Sequence, residues 1–297
     1  MRSTYRLAWN RRSLELGRRT CIMGIVNVTP DSFSDGGRFL NHGAAVEQGL
    51  RLAAEGADIL DIGGESTRPF SDPVSTETEL SRVIPVIEAL AREISIPISI
   101  DTMKAAVAEA ALAAGASIVN DVSALRYDPD LAATVARAGV PLVLMHMLGT
   151  PKTMQQAPHY DDLFGEIEDF LAAAMERARS AGIRRDLLII DPGIGFGKTV
   201  SHNLALIQGV RRLAALDAPV LIGPSRKAFI RRLLSDDPAT PLSPDDPDVV
   251  HGTVAAATAA ILSGAHLIRV HEVAPARAAA RIADALIAED SEVTSDE

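Results

Sequence analysis

The stretch ISIDTMKAAVAEAALAAGASIVNDV, Ile98 to Val122, reads as one complete strand–helix–strand unit. Ile98 to Asp101 is a short β-branched run closed by a carboxylate, and Ala105 to Ala114 is an Ala-rich segment with helical spacing. Gly115 ends that helix, because glycine takes the left-handed conformation of a helix terminus without a Cβ clash. Ala116 leads into the next β-branched run, Ser117 to Val122, which again finishes in polar groups. Strand, helix and strand in succession is the pattern of parallel pairing, since parallel neighbours need a crossover between them.

The same unit recurs on both sides. Strand candidates are Ile22 to Val28, Ile59 to Gly63, Ile98 to Asp101, Ser117 to Val122, Leu142 to Met147, Leu187 to Asp191, Val220 to Gly223 and Leu267 to His271. Helical stretches between them include Ala44 to Ala54, Glu77 to Arg92, Phe164 to Ala181 and Val249 to Ser263, and Gly56-Ala57 and Gly264-Ala265 repeat the glycine stop. Eight such units within 297 residues fit a closed sheet better than an open one. The expected fold is therefore α/β, a single (β/α)8 TIM barrel, a fold that occupies about 250 residues as one domain. It is assigned to residues 21–288. Residues 1–20 form an N-terminal extension, expected as a hairpin or plug across the barrel bottom. The stretch Ser235 to Asp248, with four prolines and five aspartates, is expected to be a mobile loop. Residues 289–297 form an acidic tail expected to be disordered.

Composition narrows the function classes. A hydrophobic fraction of 47% supports a large core, and a net charge of -10 argues against a nucleic-acid partner, whose phosphates require a field of the opposite sign. Apolar runs are short and broken by Gly, Asp or Pro, far below the roughly 20 residues that span a bilayer, so no membrane association is expected. Cys21 is the sole cysteine, which excludes an intrachain disulfide. With no signal-peptide pattern, this points to the cytoplasm. The seven histidines show no zinc-binding spacing.

In a barrel of this kind the chemistry sits where the strands end. Those ends carry Asn27, Asp61, Asp101, Asn120-Asp121, His146, Asp191, Ser225-Arg226-Lys227 and Arg269-Val270-His271. One such residue alone is more simply a helix cap or a solvated charge. Together they offer carboxylates and amides for the edge of a polar heterocycle and cations for a polyanion, so a heterocycle bearing phosphate is the economical ligand. Gly193-Ile194-Gly195-Phe196-Gly197-Lys198-Thr199 imitates a phosphate-binding P-loop, but Pro192 stands where the first glycine is required. It is better taken as a tight loop that exposes Asp191. Magnesium held with phosphate is more plausible than zinc, because it asks for only one or two protein oxygens.

Gly24 to Gly37 (GIVNVTPDSFSDGG) and Gly63 to Pro69 (GGESTRP) resemble the two signature segments of dihydropteroate synthases. Asp191 to Lys198, Ser225-Arg226-Lys227 and Arg269-Val270-His271 extend the likeness in the same order. The resemblance implies condensation of 6-hydroxymethyl-7,8-dihydropterin pyrophosphate with para-aminobenzoate, giving 7,8-dihydropteroate and pyrophosphate. It implies pterin contacts from Asp61, Asp101, Asn120, Asp191 and Lys227, pyrophosphate contacts from Arg68, Arg269 and His271, and a Mg2+ contact from Asn27. Phe33, Thr67 and Pro69 match positions beside para-aminobenzoate, while Asp35, Thr67, Arg68 and Lys227 match catalytic positions. Sulfonamides as inhibitors and a homodimer follow from the same likeness. Phe70, Leu148 and Ala228 depart from the usual pattern and bear on para-aminobenzoate affinity. The competing readings are a non-catalytic pterin-binding paralogue and a methyltetrahydrofolate-dependent methyltransferase barrel. The Asn27 to Gly37 segment and Ser225-Arg226-Lys227 disfavour the methyltransferase, and the retained Asn27, Arg68, Lys227 and Arg269 argue against the paralogue.

Overall fold

A computed structural model describes residues 2–29, 38–66, 71–150, 152–237 and 239–293. The chain opens with an antiparallel hairpin of β1 (Tyr5–Trp9) and β2 (Arg12–Leu16). Eight strands follow: β3 (Cys21–Asn27), β4 (Ile59–Gly63), β5 (Ile98–Asp101), β6 (Ile118–Asp121), β7 (Leu142–Met145), β8 (Leu188–Asp191), β9 (Leu221–Ile222) and β10 (Leu267–Val270). All their pairings are parallel, in the order β8-β7-β6-β5-β4-β3-β10-β9. A parallel bridge from Ile190 to Val220 brings the two ends of that sheet together, and the Ile190 amide donates to the Pro219 carbonyl at 3.0 Å. The TIM barrel expected from the repeat is present.

The helices are α1 (Arg38–Glu55), α2 (Thr76–Glu93), α3 (Ala105–Ala114), α4 (Leu131–Ala138), α5 (Leu163–Ser180), α6 (Val200–Gln208), α7 (Ala228–Leu233), α8 (Pro247–Leu262) and α9 (Val273–Val293). α2 shows why such segments are helical. The Ser75 side chain accepts from the Thr78 amide, Glu77 and Glu79 favour the positive end of the helix dipole, and Val83, Val86, Ile87 and Leu90 recur at core-facing spacing. Among the described residues no helix is long and apolar enough to cross a membrane.

The hairpin lies across the end of the barrel where strands begin. Arg12 donates to the Ser95 carbonyl at 2.7 Å and Arg184 to the Ala8 carbonyl at 3.3 Å, and the His266 ring meets the Ser3 carbonyl at 3.1 Å. Those partners precede β5, β8 and β10, and Leu7, Trp9 and Leu16 are buried in the core.

Two expectations need correction. Helix α9 continues to Val293, into the stretch assigned to a disordered tail, because extending a helix that is already nucleated is cheap even for polar residues. The Ser235 to Asp248 stretch, expected to be loose, makes specific contacts at its described residues. Arg231 donates to the Leu242 carbonyl, Arg226 pairs with Asp245, and Asp246 caps α8 with Pro247 in its first turn.

Candidate active site

Strand register sets a polar rim. Asn27 lies beside Gly63, Gly63 beside Asp101, and Asp101 beside Asn120, so β3 to β6 end at one level. Deeper on β4, Asp61 is fully buried. Its Oδ2 accepts from Asn120 at 3.0 Å and from Arg269 Nε at 2.6 Å, while Arg269 Nη2 donates to Asp101 at 2.7 Å. One guanidinium thus serves two carboxylates. Asp61 Oδ1 is buried and has no partner among the described residues, the state of an acceptor that a bound donor or water completes. Burial pushes the Asp101 carboxyl up, against the pull of Arg269 and with the added repulsion of Asp61.

Asp191 forms the facing wall at the end of β8. Its Oδ1 accepts from the Gly193 amide at 2.7 Å, and burial raises it to about 6 despite that bond and the nearby Lys227, Lys198 and Arg269. Gly193 has φ +73, and a Cβ there would strike the His146 carbonyl, so only glycine lets the chain turn under Asp191. Lys227 Nζ sits 3.8 Å from the centroid of the Phe196 ring. Beneath them Lys198 is buried, donating to His146 Nδ1 and to the Phe196 carbonyl, each at 3.0 Å. Burial lowers Lys198 to about 7, with Asp191 opposing. Burial, then the charges of Lys198 and Arg126, hold the His146 pKa far below its usual value, and its ring packs edge-on to Phe170. His146 is a neutral support for Lys198. Met103, Val122, Met145, Met147, Met154 and Phe196 form an apolar cluster separate from the barrel core, contributed by the ends of these same strands and the loops after them.

A third group joins β3, the loop after β9, and the end of β10. The Asn27 amide meets His271 Nε2 at 3.4 Å, and Ser225 Oγ meets His271 Nδ1 at 2.9 Å while accepting from the His271 amide at 3.2 Å. The imidazole is thereby fixed in orientation.

The structure therefore gathers Asp61, Asp101, Asn120 and Arg269 into one network and Asn27 and His271 into another, with Asp191 and Lys227 on the opposite wall. The guanidinium of Arg269, expected with His271 as an anion contact, holds Asp61 through Nε and Asp101 through Nη2. Phe33, Asp35, Thr67, Arg68, Pro69 and Phe70 lie outside the described residues. Sequence reasoning missed Lys198 as a buried amine, Ser225 as the partner of His271, and the methionine lining. The signal for Lys198 was its place at the end of the Gly-rich stretch; the methionines follow no period.

Residues 23–271 match the model of a family described as pterin binding enzyme. The chain is 46% identical over 270 residues to the dihydropteroate synthase of Synechocystis, covering 91% of each. It superposes with a TM-score of 0.87 on dihydropteroate synthase of Xanthomonas albilineans solved with 4-aminobenzoic acid, at 48% identity over 96% of this chain and 99% of that one. A Yersinia pestis dihydropteroate synthase solved with a sulfonamide drug complex gives 0.86, at 42% identity over 95% and 99%.

Proposed function

The chain belongs to the pterin-binding enzyme family, and from that membership and the facing carboxylate walls we propose how it acts as a dihydropteroate synthase. It is a transferase that condenses 6-hydroxymethyl-7,8-dihydropterin pyrophosphate with para-aminobenzoate, releasing pyrophosphate and forming 7,8-dihydropteroate. The observation that carries the assignment of its site is the pairing of Asp101, Asn120 and Asp61 on one side with Asp191 and Lys227 on the other, across the Met145, Met147 and Phe196 surface.

A pterin is a flat ring with donors and acceptors on its edge. Asp191, Asp101 and the Asn120 carbonyl accept its N–H groups, Lys227 donates to its ring acceptors, and the apolar cluster packs its faces. Asp61, fully buried, orients Asn120 and Arg269. Asn27, His271 and Ser225 face the pyrophosphate, with Arg68 and Arg269 as its cations. Phe33, Thr67 and Pro69 meet the arylamine, and Asp35 helps order the first signature segment. The amine nitrogen attacks the pterin methylene carbon, the C–O bond to pyrophosphate breaks, and the ammonium proton leaves to solvent. No protein nucleophile takes part, so catalysis is positioning and charge stabilisation.

The residues fit magnesium bound with pyrophosphate. Among the described residues no group of three His, Cys, Asp or Glu forms an all-protein metal cage, whereas the Asn27 amide directs its nitrogen to His271 and leaves a neutral oxygen. Asn27 would hold the ion through that oxygen, and the ion would offset negative charge on the leaving pyrophosphate. A cytoplasmic homodimer completes the reading, on the single cysteine and the family likeness.

Incubating the purified chain with both substrates and following product by chromatography tests this. Dihydropteroate and pyrophosphate should appear in equal amounts, and only when para-aminobenzoate is present. Pyrophosphate release without consumption of the arylamine, or no product, would overturn it.

A further inference from the structure

The Gly-rich loop after β8 ends in a lysine that faces inward. Lys198 is 4% exposed, and its Nζ donates to His146 Nδ1, just after β7, and to the Phe196 carbonyl. Both acceptors are neutral, which places the imidazole proton on Nε2. A buried ammonium held by neutral acceptors costs more to desolvate than such bonds return, so stability alone gives no reason for it. Its use lies in the loop and the charge around it.

The loop is glycine-rich and free to take many courses, so its shape depends on what ties it down. Gln155 donates to the Gly195 carbonyl at 2.8 Å, Asn203 accepts from the Gly195 amide at 2.7 Å, and the Tyr160 hydroxyl donates to the Gly197 carbonyl at 2.9 Å. Between these ties stands Phe196, whose carbonyl Lys198 holds. Gly195 has φ +83, and a Cβ there would come within 2.8 Å of Lys227 Cδ, so the Lys227 stem runs over bare backbone to reach the Phe196 ring. Lys198 thus holds from below the residue that Lys227 covers from above.

The charge around Lys198 comes from several elements. Asp191 of β8 opposes it, and Lys227, after β9, adds a like charge. Arg269 of β10 acts on Asp191 as well. Tyr160, before α5, has its ring centroid 6.0 Å from Lys198 Nζ and feels Glu166 of α5, while His202 of α6 packs edge-on to Tyr160. Arg126, after β6, and His146 both pack on the Phe170 ring of α5.

We propose that Lys198, held by His146, is a positioning residue that pins Phe196 against the pterin ring and supplies the buried positive charge beside which Asp191 stays an anion. The inference rests on the assignment of Asp191, Lys227 and Phe196 to the pterin subsite. Lys198 acts through the Phe196 backbone and through its own charge, without touching the ring.

The test reads geometry and charge separately. In Lys198→Met the KM for the pterin pyrophosphate should rise about tenfold, the scale of a small misplacement of a positioning group. The KM for para-aminobenzoate should stay within about twofold. The same variant should also move the pH midpoint of 6-hydroxymethylpterin binding, set by Asp191 at about 6, to higher pH by about 0.5 or more, because a carboxylate that loses a neighbouring cation holds its proton more tightly. Lys198, lowered to about 7, is still protonated at that midpoint, so its charge is there to be lost. Asp101, on the facing wall, contributes its own step in both proteins. His146→Leu, which removes the acceptor, should raise the pterin KM too, and His146→Asn, whose side-chain oxygen stands where Nδ1 stood, should recover most of it. A folded Lys198→Met with an unchanged pterin KM or an unmoved midpoint, an equal rise in both KM values, or equal effects of His146→Leu and His146→Asn would overturn the proposal. Failure of all three variants to fold would overturn it as well, by reducing the pair to a stability element. Absence of product from the unmodified chain would instead sink the activity itself, and is seen before any variant is made.

Discussion

The two ends of the barrel treat buried charge in opposite ways. At the end where strands begin, two carboxylates are fully served. Asp58 takes Arg19 through both oxygens, at 2.6 and 2.9 Å, and also accepts from the Ile22 amide; Asp284 takes Arg2, the Thr20 hydroxyl and the Thr20 amide. At the end where strands finish, Asp61 and Asp101 share one guanidinium, one Asp61 oxygen has no partner among the described residues, Asp191 is raised to about 6, and Lys198 is lowered to about 7. Complete pairing makes a rigid base. Incomplete pairing is costly in the free protein, and a ligand bearing several N–H groups relieves that cost on binding.

Changing one residue at each end separates the two designs. Asp191→Asn keeps shape but exchanges a carboxylate acceptor for an amide, so kcat/KM should fall about a thousandfold while thermal unfolding barely moves. Steady-state rates and a melting curve on the same sample check both halves. Trp9→Ala, in the buried hairpin, should do the reverse: about 3 to 4 kcal/mol of stability lost by denaturant unfolding, with kcat/KM of the folded fraction preserved. A sulfonamide titrated calorimetrically with and without magnesium pyrophosphate should bind more tightly with it by about 1 to 3 kcal/mol, because the polyanion helps assemble the upper face. Equal affinities would mean that face is already formed. Smallest is Arg19→Ala. That side chain is 60% exposed, so its loss should cost about 0.2 to 1 kcal/mol and leave rates unchanged.

Much of this contrast was legible in the sequence, for stated reasons. The recurring β-branched run, polar end and glycine stop located all eight strands, and Ile59 to Gly63, Ile98 to Asp101 and Ala105 to Ala114 matched to the residue. β9 shrank to Leu221–Ile222, which form a two-pair ladder with β10 and reach the β8 side only through the bridge at Val220. Asp61, Asp101, Asn120 and Asp191 were singled out because they stand at or near strand ends, and the first three share one network with Arg269. What stayed hidden depends on partners distant in sequence. Arg269 reaches Asp61 and Asp101 across the barrel, and Lys104 finds Glu65 and Glu79 across loops. Periodicity reports which face a residue occupies, and says nothing of which side chain from another strand it meets.

The central claim is that the upper carboxylates bind the pterin edge as anions that folding has left short of partners. Its most direct test is the affinity of 6-hydroxymethylpterin, measured calorimetrically from about pH 5 to about pH 8, for the unmodified chain and for Asp191→Asn. Burial raises Asp191 to about 6, so it is ionised and able to accept two N–H groups above that pH and protonated below it. Affinity should be full at the alkaline end and decline as pH falls through about 6, while Asp191→Asn should bind weakly and keep only the pH dependence that Asp101, itself raised by burial, contributes. Equal affinities and the same pH profile in both proteins would show that Asp191 does not hold the ring, and would contradict the account.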